Sequence, residues 1–191
     1  FFGGQFIYIS SAPVFIERFL QLGDFGYAWY FVPTIAGMTA GSALSARLAA
    51  ETSPARCANI GLLVMVAGQV INLAYNAVTA HPQVPWAVLP FALYGCGVSL
   101  ATPPINVATL DRHPLHRGAA ASVQSAMWSL MMVLVSGFAA PLAHDTPMHL
   151  ALGSFAFWIA GALCLWLGPH IVFLHAPTRE DAAESELEEP V

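Results

Sequence analysis

Long stretches of this chain hold no charged side chain. Residues 25–46, 57–110, 118–144 and 146–178 lack Asp, Glu, Lys and Arg altogether, and apolar residues dominate each stretch. An uncharged, mostly apolar run of about 18 residues or more is long enough to cross a bilayer as a helix. The runs are continuous, unlike the ten-residue alternating segments of an outer-membrane barrel. The pattern predicts six helices, over about 1–16, 25–46, 58–77, 84–110, 118–142 and 148–174. Breakers separate them: Gly23-Asp24, Thr52-Ser53-Pro54, His81-Pro82, His113-Pro114 and Asp145-Thr146-Pro147. The first run is short for a span. It opens without Met in Phe1-Phe2-Gly3-Gly4, as expected of a chain that starts inside a helix.

Composition agrees with the pattern. Only 9% of the 191 residues are charged and 57% are hydrophobic, and the mean hydropathy is +0.65. A soluble exterior cannot be built from so few charges. A soluble enzyme, a nucleic-acid binder and a disordered protein are therefore excluded. An all-α membrane protein of six transmembrane helices, residues 1–174, is expected. The three cysteines (Cys57, Cys96, Cys164) are scattered and suggest neither a disulfide framework nor a zinc site.

Charge placement orients the helices. The loops after the second and fourth helices, with the tail, hold Arg47, Arg56, Arg112, Arg117 and Arg179, whereas the opposite side holds Arg18. The positive-inside rule puts those loops and both ends of the chain in the cytoplasm. Residues 175–191 change character. They include Arg179 and six acids, and read as a solvated, disordered cytoplasmic tail.

A polar side chain in hydrocarbon must find a partner or face water, so polar positions within the spans are informative. On the fourth helix Gly95, Ser99, Thr102, Asn106 and Thr109 share one face. Pro103 and Pro104 should kink or break that helix as a hinge. The stripe suits a cavity wall or a helix contact joined by small polar residues. Gln5, Tyr8 and Ser11 share a face of the first helix and suit a substrate contact or interhelical hydrogen bonds. On the fifth, Gly118, Ser122, Ser125 and Ser129 form a small packing face, and Gln124 and Trp128 form another with Met131 nearby. Gly37-x-x-x-Gly41 and Ser45 make a packing ridge on the second. Gln69, Asn72 and Asn76 on the third suit structural hydrogen bonds, and the sixth helix suits lipid contact.

No ionisable carboxylate, Lys or Arg lies deep in a predicted span. The histidines of the loops (His113, His116, His144, His149) lack the clusters a metal needs, and no nucleophile elbow or His-Glu-x-x-His motif occurs. Neither catalysis, a cofactor nor a metal is expected.

Several stretches resemble one family. Phe6-Ile-Tyr-Ile-Ser-Ser-Ala-Pro13-Val-Phe-Ile, Gly41-Ser-Ala-Leu-Ser-Ala-Arg47-Leu, Gly95-Cys-Gly97 followed by Pro103-Pro104, and Arg117-Gly118-Ala-Ala-Ala-Ser122 are similar to helices seven, eight, ten and eleven of the Bcr/CflA drug:proton antiporters, a branch of the major facilitator superfamily. The resemblance covers residues up to about 174 and implies the C-terminal half of such a transporter, a 3+3 inverted repeat in the bacterial inner membrane. It implies that the first and fourth helices line a cavity, with Gln5, Tyr8, Thr102 and Asn106 as contacts, joined by Gln124 and Trp128. It also implies that the second and fifth helices pack on a second six-helix half, through Gly37, Gly41, Gly118 and Ser122. Arg47, Arg112 and Arg117 become loop anchors and gates. The partners implied are the lipid bilayer, that missing half with its proton-handling carboxylate, protons, and a small hydrophobic or amphipathic substrate. The rival expectations are a six-helix structural or assembly partner without transport of its own, and a membrane-embedded enzyme.

Overall fold

A computed structural model describes residues 1–21, 25–79, 82–111, 116–143 and 145–167. Arg112 and the acidic tail lie outside the described residues, as do residues 168–174 of the sixth predicted span. Every regular element described is helical. In chain order these are α1 (Phe2–Ser10), α2 (Ala12–Val14), a π-helical turn (Phe15–Phe19), α3 (Gly26–Glu51), α4 (Pro54–Val78), α5 (Leu89–Asp111), α6 (Arg117–Leu134), a second π-helical turn (Val135–Ala139), α7 (Ala140–Ala143) and α8 (Pro147–Leu167). Among the described residues, three helical runs are long and apolar enough to cross a membrane: Pro54–Val78, Arg117–Ala143 and Pro147–Leu165, with mean hydropathies of 1.8, 1.7 and 1.7. α3 and α5 carry more Gly, Ser, Thr and Pro than α4 or α8, which lets them pack closely.

Local chemistry sets the boundaries. After α3, Thr52 turns to extended backbone while its hydroxyl donates to the Leu48 carbonyl at 2.8 Å. Ser53 then caps α4, its hydroxyl accepting from the Arg56 N–H at 3.4 Å, with Pro54 at the first helical position. α5 begins at Leu89 rather than near 84, because residues 84–88 are held as turns. The Gln83 N–H donates to the Tyr75 hydroxyl at 3.0 Å, and the Val88 N–H donates to the Pro85 carbonyl at 3.1 Å.

Where a kink or a break is expected at Pro103-Pro104 there is no break: α5 runs through both prolines. A proline in a helix frees the carbonyl four residues earlier. For Pro104 that is Leu100, whose carbonyl receives the Cys57 thiol of α4 at 3.8 Å. Thr102 donates its hydroxyl to the Val98 carbonyl at 2.7 Å, one turn back. The first helical run is less regular. Ser11 interrupts it, Pro13 follows, and the π-helical turn ends with Leu20 N–H donating to the Phe15 carbonyl at 3.0 Å.

α5 is the spine, packed along α3 on one side and α4 on the other. A Cβ on Gly37 would collide with the Ala92 carbonyl, and one on Gly41 with the Cys96 carbonyl, so the small ridge of α3 brings the two backbones together. The pairings 37–92 and 41–96 make α3 and α5 parallel. Gly61 against Gly97 and Gly68 against Tyr94 make α4 antiparallel to α5. The Gly37/Gly41 ridge thus packs on α5 of the same chain. The expected fifth-helix face behaves differently. Gly118 has nothing within 4 Å, and exposed Ser122 donates only to the Gly118 carbonyl, so neither packs on a described residue. The main core joins Tyr8, Phe15, Tyr30, Phe91 and Leu150, and a second cluster joins Met65, Tyr94, Val98 and Ala101.

Candidate functional site

Burial along α5 stops at Ala101, two residues before the proline pair begins. The last third of the helix therefore emerges from the bundle with Asn106 half-buried. α6 lies antiparallel beside it, joined to α5 at two levels and to α1 at a third. Gln124 donates Nε2–H to Asn106 Oδ1 at 2.5 Å. Arg117, at the start of α6, pairs with Asp111, at the end of α5, at 2.7 Å, both exposed. Trp128 stacks on Phe2 of α1, with ring centroids 4.6 Å apart and planes 16° apart.

Between these attachments α5 and α6 enclose an open groove of about 410 Å³. Asn106 and Leu110 line it from α5, and Gln124, Ser125, Trp128 and Met132 from α6. Among the described residues the lining has no ionisable side chain. The groove offers amides and hydroxyls at its middle and an indole and thioether at its wall, a surface that suits an amphipathic small molecule.

Three of the six cavity candidates thus come together: Asn106, Gln124 and Trp128. Thr102 is half-buried with its hydroxyl spent on the helix backbone, and it does not line the groove. Gln5 and Tyr8 lie inside the bundle. The Tyr8 hydroxyl accepts from Asn72 Nδ2 at 2.8 Å, and Tyr30 donates to the Tyr8 carbonyl at 2.9 Å. Gln5 is fully buried against Gly95, and neither amide atom has a hydrogen-bond partner among the described residues. The third-helix amides are structural, as their spacing implies. Gln69 donates to Ser154 Oγ, which donates to the Gly4 carbonyl at 2.7 Å, and Asn76 donates to the Asn72 side chain at 3.0 Å.

Ser125, Met132 and Leu110 escaped notice as site residues. The sequence carried a signal for the first two. Residues 121, 124, 125, 128, 129 and 132 form one i, i+3, i+4, i+7 stripe, which merges the two separate faces read on the fifth helix. Of the loop arginines, Arg117 pairs with Asp111 of α5 and Arg47 is exposed near the end of α3. Among the described residues no three His, Cys, Asp or Glu side chains gather to hold a metal ion. Compared with known proteins, the chain matches no family model and no curated protein.

Proposed function

We propose that the chain forms a six-helix half of a major facilitator superfamily transporter of the Bcr/CflA type, resident in a cell membrane. It takes part in the efflux of small amphipathic compounds by proton antiport. The observation that carries this is the α5–α6 groove, where an uncharged polar pair and an indole meet just beyond a proline pair in α5. The sequence stretches similar to helices seven, eight, ten and eleven of that branch support it, as do the three apolar helical runs. In this reading α1, α3 and α4 form one three-helix repeat and α5, α6 and α8 the other. Transport moves its cargo without a chemical step, so no catalytic set is needed.

Proton coupling belongs to a second six-helix half, supplied by the same polypeptide or by another. Exposed apolar faces support this. α3 presents Val32, Ile35, Ala36, Thr39, Ala40 and Ala43 along one open stripe, and α6 exposes Val123, Met127 and Leu130. The same faces favour the second reading, an assembly partner without transport of its own.

Proteoliposomes of the full-length protein test the proposal. Under an imposed pH gradient they are expected to move a lipophilic substrate, and to stop when a protonophore collapses the gradient. Trp128→Ala is expected to lower that flux about tenfold, the effect of losing one aromatic wall worth about 1.5 kcal/mol. Flux indifferent to the gradient removes antiport. Normal flux in both Trp128→Ala and Asn106→Ala removes the groove. Stable co-assembly with no flux at all establishes the partner reading.

A further inference from the structure

We infer that the groove recognises an uncharged, flat ring compound through an amide-type edge, a hydrogen-bond donor beside an acceptor. The inference rests on the transport reading for the site's purpose and names the class of compound carried.

The amide pair carries the argument. Gln124 Nε2 donates to Asn106 Oδ1, but the reciprocal bond from Asn106 Nδ2 to Gln124 Oε1 is not made. Asn106 Nδ2 and Gln124 Oε1 therefore have no partner among the described residues, and both half-buried residues line the groove. Unmet polar atoms in a site that water leaves are costly, and a ligand that satisfies them recovers that cost. A lactam or cis-amide edge offers the complement: its N–H donates to Gln124 Oε1 and its carbonyl accepts from Asn106 Nδ2. A lone hydroxyl or ether fits one atom and leaves the other unmet.

The wall favours a flat partner. Phe2 covers one face of the Trp128 indole and fixes its plane, and Trp128 keeps 38% of its surface exposed. The surface left to the groove is aromatic, which favours an offset stack with a planar ring. Leu110 and Met132 close the line with apolar, adaptable contact. No ionisable side chain among the described lining residues balances a charge on the ligand. A volume of about 410 Å³ admits a bicyclic ring system.

The test measures equilibrium binding of two fluorescent probes to purified full-length protein. One is 2-quinolinone, a planar lactam with an N–H beside its carbonyl. The other is 1-methyl-2-quinolinone, which keeps ring and carbonyl but lacks the donor. The lactam is expected to bind about tenfold more tightly, the effect of one unmet acceptor. Asn106→Leu with Gln124→Leu is expected to bring the ratio near one, while Trp128→Leu weakens both probes alike. Equal binding to the unsubstituted protein overturns the inference, whatever the variants do. So does a preference that survives the double substitution. Gradient-driven flux of the probes in proteoliposomes separates the two proposals. A lactam preference in binding without flux rejects transport and keeps the edge recognition. Flux without the preference keeps transport and rejects the edge.

Discussion

Gln5 illustrates how far a single position can be read. From the sequence, an amide one turn from Tyr8 in an apolar helix suits either a cavity wall or a helix contact. Both readings satisfy its polar atoms, and the structure satisfies neither. Tyr8 and Asn72 solve the same problem by pairing, whereas Gln5 is sealed against Gly95. A buried polar group without a partner costs about 1–3 kcal/mol. Gln5→Met, close in volume, is accordingly expected to raise the melting temperature of the purified protein, and Asn72→Leu to lower it. A lower melting temperature for Gln5→Met means that the amide has a partner in solution. The burial of Gln5 and Tyr8 was not legible because the helical period shows which residues share a face, not what that face meets.

Helix positions were more legible than their partners. The Thr52-Ser53-Pro54 signal works because it is local: a hydroxyl cap and a proline act within four residues. The ridge at Gly37 and Gly41 was legible as a ridge, but its neighbour is α5, because the Ala92 and Cys96 carbonyls come within contact of it. The continuity of α5 through Pro103-Pro104 was not legible, since the Leu100 carbonyl is met by Cys57, a residue of another helix. The two fifth-helix faces were seen separately, and only the position of α5 shows that they form one wall of a groove. Glycines of equal appearance are thus unequal. Gly41→Ala is expected to destabilise the protein strongly, because its Cβ meets rigid backbone. Gly118→Ala, facing open space, is expected to be neutral or to stabilise by up to about 1 kcal/mol through helix propensity. Thermal unfolding of the two variants in detergent checks the contrast, and a similar loss in both places Gly118 in an interface.

At the scale of the molecule, the parallel α3–α5 and antiparallel α4–α5 pairings give the bundle two ends. Exposed Phe25, Trp29 and Trp86 gather at one, where α3 and α5 begin, while Arg47, Arg56 and Arg117 mark the other. Aromatic belts and arginine-rich ends are the marks of the two water interfaces of a membrane protein. Single cysteines in place of Trp86 and Arg47, in a chain whose own three cysteines are replaced by Ala, are expected to react with a membrane-impermeant maleimide from opposite sides of the cell membrane. Labelling of both from one side removes the assigned orientation.

No side chain of α6 is buried, although α6 forms one wall of the groove. Contacts with the rest of the chain therefore fix that wall at a few points only, and whatever solvates its apolar side sets the remainder. If that solvent is lipid, the width of the groove follows the thickness and lateral pressure of the surrounding acyl chains. The annulus then becomes part of the binding site, and affinity measured in one lipid mixture need not carry over to another.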